Sequence, residues 1–351
     1  MSRRTVSSIL ACVLLVLLFA TAAFLPVPFV AMSPGPTINV LGDSGGQPIV
    51  RVQGHKTFTA GGQLRLVTVA VTSPQERLSL GQAMFAWFDG TRALYPRDVI
   101  YPPQQSVQDV EQEGTVQMVS SQDTAIAAAL NELGYKLKVQ TEVLAVTKGA
   151  AADGLLQARD KILAVNGTNV TQAADVSKAV QQVPVGGKAR FTVLRNGQTK
   201  HVTVVTRPSP TNPHHGMVGI VVGEGYDFPF QVSVNISDKI SGPSAGLIFS
   251  LAVLDTLTPG SLTHGNDVAG TGTMAPNGTV GAIGGIQQKI VGAADAGAKI
   301  FLVPPPNCSA ALGADVKKGE IRLVKAPTLH SAVSSIEAWD KNHDAPLPKC
   351  G

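Results

Sequence analysis

The longest unmixed stretch of the chain comes first: an apolar run from Val6 to Leu25, broken only by Ser7, Ser8 and Thr21, behind Arg3 and Arg4. Twenty helical residues span about 30 Å, the thickness of a bilayer core. Arginines before the run, and no charge after it until Asp43, predict a cytoplasmic N-terminus with the bulk of the chain outside. A cleaved signal segment competes with this, since Ala20-Thr21-Ala22 fits a small-x-small cleavage pattern, but apolar character continues to Val30. Both deliver the same chain to the outside.

Beyond the span, Ser33-Pro34-Gly35-Pro36 predicts a stiff juxtamembrane linker. Gln63 to Val71, apolar on both faces, predicts a buried strand. Ser79 to Phe88 predicts a helix turning Leu80, Met84, Trp87 and Phe88 inward. Residues 108–118 are polar and mildly acidic without evident chemistry, and a helix is expected from Asp123 to Leu133, capped by Ser120 or Ser121 and ended at Gly134. Asn196-Gly197 between Arg190–Arg195 and Thr199–Thr206 is a strong hairpin signal. Pro208 to Pro213 predicts a semi-rigid linker before the last part of the chain.

Composition narrows the class. With 351 residues, 44% apolar and 15% charged, the chain is globular and long enough for two or three domains. A net charge of +4 without a basic cluster excludes a nucleic-acid footprint. The three cysteines form no CxxC pair, and no clustered His/Asp/Glu set is visible, so no metal or cofactor is expected. Cys12 lies inside the apolar run. Cys308 and Cys350 fall beyond it, where oxidation is permitted, and a disulfide between them competes with two buried thiols.

Two blocks carry chemistry. Strand Thr141–Val146, then Lys148-Gly149-Ala150-Ala151-Ala152-Asp153-Gly154-Leu155, then Asp160-Lys161-Ile162-Leu163-Ala164-Val165-Asn166-Gly167, then a helix near Ala173–Val180, resemble a PDZ domain of the bacterial secreted-protease kind. Arg159 stands where that family normally has Gly. The resemblance implies a peptide segment adding as a strand beside the helix, with Leu133-Gly134-Tyr135 a weak candidate for the carboxylate-binding loop. The alternative is a PDZ fold that only packs against its neighbour.

Farther on, Gly242-Pro243-Ser244-Ala245-Gly246 precedes the apolar run Leu247–Leu257, a Gly/Pro turn feeding a buried helix. Free N–H groups and the positive dipole end at such a start suit an oxyanion. Ser244 needs a base. The G-x-S-x-G pattern would pair it with Asp295 and His330. Alternatively, Lys289 shares a helix face with Ile286, Ile290 and Ala293. A lysine buried there loses its charge readily, although one that reaches solvent would not.

Gly242 to Gly246, Val268-Ala269-Gly270-Thr271-Gly272-Thr273, Gly278 through Gly284-Gly285 to Lys289, and Ala296 to Pro304 together resemble the Lon peptidase domain, over about residues 216–305. That resemblance implies a Ser244–Lys289 dyad supported by Thr271, with Gly242 and Ala245 beside the nucleophile. Lys299 is then structural, and Lys239 is not the base. Ser241 replaces a frequent Asp of the family, and no G-x-x-x-x-G-K-[ST] motif occurs, so no ATPase module is evident.

The combination resembles the membrane-anchored, PDZ-containing Lon-like serine proteases of bacteria. It implies an α+β chain with an N-terminal transmembrane helix, a PDZ-like β-rich domain and a Lon-type α/β proteolytic domain. The expected divisions are 1–32 anchor, 33–120 extracytoplasmic region contributing strands to the protease, 121–207 PDZ-like domain, 208–215 linker, 216–340 proteolytic domain and 341–351 tail. Expected partners are the membrane and flexible protein or peptide substrates. Lon-type domains commonly form rings, so a homo-oligomer is among the arrangements implied. The rival functions are a Ser–His–Asp hydrolase using Ser244 and a non-catalytic PDZ scaffold on the membrane.

Overall fold

The computed structural model describes residues 3–58, 61–103, 105–209, 212–237 and 240–351. Helix α1 (Arg3–Ala23) has no buried residue and is long and apolar enough to cross a membrane. After it, the chain builds one six-stranded mixed sheet from both its ends. In spatial order the strands are Arg322–Lys325, Ile300–Val303, Asp267–Gly270, Gln63–Val71, Phe29–Asn39 and Ala93–Pro96. The first four run parallel, and the last two pairings are antiparallel. Gln63–Val71 lies in the middle, which is why both its faces are apolar. A two-stranded ladder, Val50–Gln53 with Gln231–Val234, joins the same body.

Ser33-Pro34-Gly35-Pro36 is not a linker. It lies within the strand Phe29–Asn39, where the register against Gln63–Val71 shifts between Pro34 and Thr37. Prolines are tolerated at such a bulge because no ladder donor is lost. Gly35 is required there, since a Cβ would stand 2.9 Å from the Thr68 backbone carbon.

Helix α2 (Leu80–Phe88) is capped reciprocally by Ser79 and Gln82, but it faces the other way from expectation. Ala83 and Ala86 are buried while Met84, Phe85, Trp87 and Phe88 are exposed. Helix α3 (Val107–Glu132) starts 16 residues earlier than the expected Asp123. Its cap is Ser106, whose side chain accepts from Asp109 N while Asp109 reaches back. The polar segment 108–118 is therefore the more exposed half of one long helix, and Ala125 to Leu130 pack in the core beside the six-stranded sheet.

The PDZ-like sheet runs Gln198–Val205, Lys188–Arg195, Lys161–Val165, Lys138–Val146 and Ile220–Asp227, with α4 (Ala173–Gln181) alongside. Asn196 and Gly197 both have positive φ, 51° and 76°, as a tight hairpin requires. The segment after Pro208 does not space two modules apart. Arg207–Pro208 pairs with Gly216–Met217, and Ile220–Asp227 then pairs along all of Lys138–Val146; Pro210 and Thr211 lie outside the described residues. By packing, Ala125 to Leu130 go with the body of the six-stranded sheet, while Gly216–Met217 and Ile220–Asp227 pair with strands of the PDZ-like region, so the expected divisions at 120/121 and 207/216 shift.

Candidate active site

Ser244 sits just before α5 (Gly246–Leu257), a helix buried along nearly its whole length. The turn ahead of it depends on Gly242, whose φ of 92° disfavours any other residue. Helix α3 fixes this turn from outside. Ser121 Oγ donates to Pro243 O at 3.1 Å, and Gly114 O accepts from Gly242 N. From inside, the Ser244 carbonyl accepts from Gly272 N at 2.9 Å and from Thr271 Oγ1 at 3.0 Å. The serine backbone is thus held from two sides while its side chain faces a cleft.

Lys289 projects into that cleft from α6 (Ile286–Asp295), which packs across the strands Phe29–Asn39 and Gln63–Val71. The helix can approach because Gly285, at φ 67°, begins it; a Cβ there would stand 2.8 Å from Met32 Sδ and Val69 Cγ1. Lys289 is 3% exposed, and its Nζ lies 3.5 Å from Thr271 Oγ1. Burial pushes its pKa down from 10.5 to about 8. The amine is therefore deprotonated far more easily than a surface lysine. Lys289 does not reach solvent.

Ser244, Ala245, Gly242 and Lys289 line one cleft of about 240 Å³. Its other walls include Pro36, Val69 and Met118, from the strands and helix that precede the PDZ-like sheet. Sequence reasoning passed over these three, because an apolar strand position carries no sign that it borders a site. The pairing with Asp295 and His330 finds no geometry. His330 bonds Glu132 Oε1 at 2.7 Å and is mostly exposed, while Asp295 is exposed at the end of α6. Lys299 immediately precedes the strand Ile300–Val303, its N–H donating to Asp267 O, and Lys239 lies outside the described residues. Among the described residues, no group of three or more His, Cys, Asp or Glu is arranged to hold a metal.

A second constellation joins the PDZ-like sheet to α3. Arg159, with φ 70°, occupies the left-handed conformation for which glycine is suited, which accounts for the glycine usual there. Its side chain donates to Gln122 Oε1 and pairs with Asp123 at 3.5 Å. Beside them Glu142 is buried, and desolvation, then the neighbouring Asp123 carboxylate, push its pKa up to about 8. Burial also pushes Asp123 up. In Leu133-Gly134-Tyr135, Tyr135 packs on Phe230 and its hydroxyl bonds His55 Nε2 at 3.2 Å. The edge strand of this sheet beside α4 is Ile220–Asp227. Cys308 and Cys350 form a disulfide that ties the tail to the loop after Ile300–Val303.

Residues 237–325 match the family model of the Lon protease (S16) C-terminal proteolytic domain, and residues 142–195 match that of the PDZ domain. A Lon protease of Campylobacter concisus is 30% identical over 136 residues, covering 39% of this chain and 16% of that protein. A Lon protease of Fusobacterium nucleatum is 28% identical over 163 residues, covering 43% of this chain and 20% of that protein. The chain thus spans a fifth or less of these relatives. The PDZ domain of an SdrC-like protein from Listeria monocytogenes aligns with 24% of the chain and 86% of its own, at 14% identity and a TM-score of 0.22. The chain carries a PDZ domain and a Lon-type proteolytic domain in a mixed helix-and-strand fold.

Proposed function

We propose that the chain is a membrane-anchored serine endopeptidase with a Ser244–Lys289 dyad, acting outside the cytoplasm without a motor. The observation that carries this is the amine of Lys289, 3% exposed, with its pKa near 8, sharing one cleft with Ser244. Neutral Lys289 takes the Ser244 Oγ proton as Oγ bonds to the peptide carbonyl carbon. The N–H groups of Ser244 and Ala245, at the start of α5, steady the oxyanion. As the C–N bond breaks, the lysine returns its proton to the leaving amine. Water, deprotonated by the same lysine, then hydrolyses the acyl ester.

A cleft of about 240 Å³ admits an extended segment and not a folded domain, so flexible or unfolded chains are the substrates. The PDZ domain recruits them, by strand addition to the edge of Ile220–Asp227 beside α4. Arg3 and Arg4 before the apolar span, and the Cys308–Cys350 disulfide, support the extracytoplasmic location.

The test is cleavage of an unfolded protein by the full chain in detergent, beside Ser244→Ala, Lys289→Ala and His330→Ala, with thermal unfolding of each. The dyad predicts that only the first two lose activity. Loss with His330→Ala but not Lys289→Ala returns the triad. A folded parent that binds peptides and never cuts them is a scaffold.

A further inference from the structure

Helix α2 is inside out for a globular protein. Its small residues are buried, Ala86 to 2% exposure, while Trp87 and Phe88 are 76% and 81% exposed beside an exposed Met84 and Phe85. A surface helix ordinarily buries its large apolar side chains and leaves small or polar ones outside. The capping box of Ser79 and Gln82 shows that α2 is a well-formed helix, so the orientation is not that of a frayed end. Four large apolar side chains on nine residues form a contiguous, mostly exposed apolar face, with the Arg92 guanidinium over the Phe85 ring at one side.

That face joins the end of α1. Leu80 N donates to Leu25 O at 2.8 Å, and Pro26–Val27 pairs antiparallel with Leu78–Ser79. Gly81 lies so close that a Cβ on it would stand 3.2 Å from Ala23 O. Phe24 and Leu25, both exposed, carry the apolar surface from α1 onto α2 without a break. A bilayer spanned by α1 would have its outer boundary at Ala23–Leu25, the level at which α2 is fastened.

We infer that α2 is a lipid-docking helix, its Met84, Phe85, Trp87 and Phe88 face immersed in the outer boundary of the same bilayer that holds α1. The inference rests on α1 being inserted. Tryptophan and phenylalanine at the end of a span are the side chains that membrane interfaces favour. Helices with one strongly apolar face lie in that plane with the face about 5–10 Å deep. Charge does not drive the contact: Arg77, Arg92 and Arg97 are matched by Glu76, Asp89 and Asp98 around the helix. Docking therefore requires no anionic lipid. Two attachments instead of one would stop the protease body swinging on its tether. They would also set the height of the cleft, because the strand that leaves the membrane at Phe29 reaches the cleft wall at Pro36. Seven extended residues cover at most about 23 Å.

The chain contains its own reporters. Trp87 and Trp339 are its two tryptophans, and Trp339 is buried in the protease core. Cys12, in α1, is the one thiol outside the disulfide. The full chain is reconstituted in phosphatidylcholine vesicles, and its fluorescence is read against Trp87→Phe with brominated phosphatidylcholine, with aqueous iodide and with an impermeant maleimide. The expected result is a protected Cys12 together with a Trp87 signal quenched several-fold more by shallow bromines than by iodide. A protected Cys12 with Trp87 open to iodide and untouched by bromines overturns the inference and leaves the anchor standing. Trp87 shielded from both quenchers assigns the face to a second copy of the chain, and overturns it too. A freely labelled Cys12 removes the anchor and the inference with it.

Discussion

Lys289 Nζ lies 3.5 Å from Thr271 Oγ1, the hydroxyl that donates to the Ser244 carbonyl at 3.0 Å. With its only hydrogen committed to Ser244 O, the hydroxyl presents lone pairs to the lysine, so the amine points an N–H at Thr271 and keeps its own lone pair for another proton. Thr271→Val keeps the shape and the backbone bond to Leu302 O but removes this orientation. The expected loss is about tenfold in kcat with little change in KM, the worth of one hydrogen bond. Thr271→Ser should restore most of the rate. Equal rates for parent and the valine variant would make the hydroxyl a packing feature only.

Lys289 sets a pH dependence of definite sign. As the proposed base Lys289 must be neutral, and burial lowers its pKa to about 8. The rate should climb tenfold per unit below that and level off above it, so that at pH 7 about one enzyme in ten is competent. A profile of kcat/KM against pH reads this directly. A midpoint near 10.5 would mean that burial does not tune the amine.

The same shift raises stability with pH as it raises activity, but over a higher pH window. Below about 8 the folded protein holds a charged ammonium in an apolar wall; between about 8 and 10.5 the folded form has shed its proton while the unfolded form retains it. Stability therefore rises with pH across that window. Lys289→Met should be inactive yet more stable than the parent at pH 7, by up to about 3 kcal/mol. The advantage should narrow toward pH 10.5. Melting curves across pH check it, and a less stable methionine variant at pH 7 would contradict the burial cost.

The disulfide supports the protease body and not the chemistry. It closes a loop of 42 residues in sequence separation, and the tail it holds brings Pro348 O to Lys325 N and buries Leu347 in the core. Cys350→Ser should lower stability by about 2–4 kcal/mol while leaving kcat unchanged in the folded fraction. Urea midpoints with and without reductant measure the loss. An unchanged midpoint would show that the tail holds without the bond.

The nucleophile turn, the lysine helix and the hairpin were legible because glycine, proline and a lone apolar-face lysine are local signals. Met118, Val69 and Pro36 were not, since a residue becomes a cleft wall only through the strand or helix it meets. Periodicity found α2 but assigned its face wrongly. Spacing tells which side chains lie together, while burial of Ala83 and Ala86 in place of Trp87 is decided by what stands on either side. Arg159 stands out in the sequence as a departure from glycine. Its contacts with Gln122 and Asp123 arise only because α3 runs back across the PDZ sheet.

That contact makes the last prediction. Asp123 and Glu142 are buried together with Arg159 as the ion-paired cation, and Glu142 keeps its proton up to about pH 8. An unfolded glutamate loses it near 4.5. The contribution to stability is therefore full below about 4.5 and is lost as pH rises through about 8, when a second negative charge appears at the junction. Glu142→Gln keeps the shape without that charge. It should match the parent at pH 4 and exceed it at pH 8.5, by about 1–2 kcal/mol for a buried carboxylate whose cost Arg159 and Lys161 partly offset. Amide exchange along Lys138–Val146 and residues 118–126 of α3 should slow in the variant at pH 8.5 and not at pH 4. Because Ser121 in α3 bonds Pro243 beside the nucleophile, the parent's cleavage of a PDZ-recruited substrate should lose its advantage over a free peptide as pH passes 8. The glutamine variant should keep it; the same loss in both would locate the coupling elsewhere.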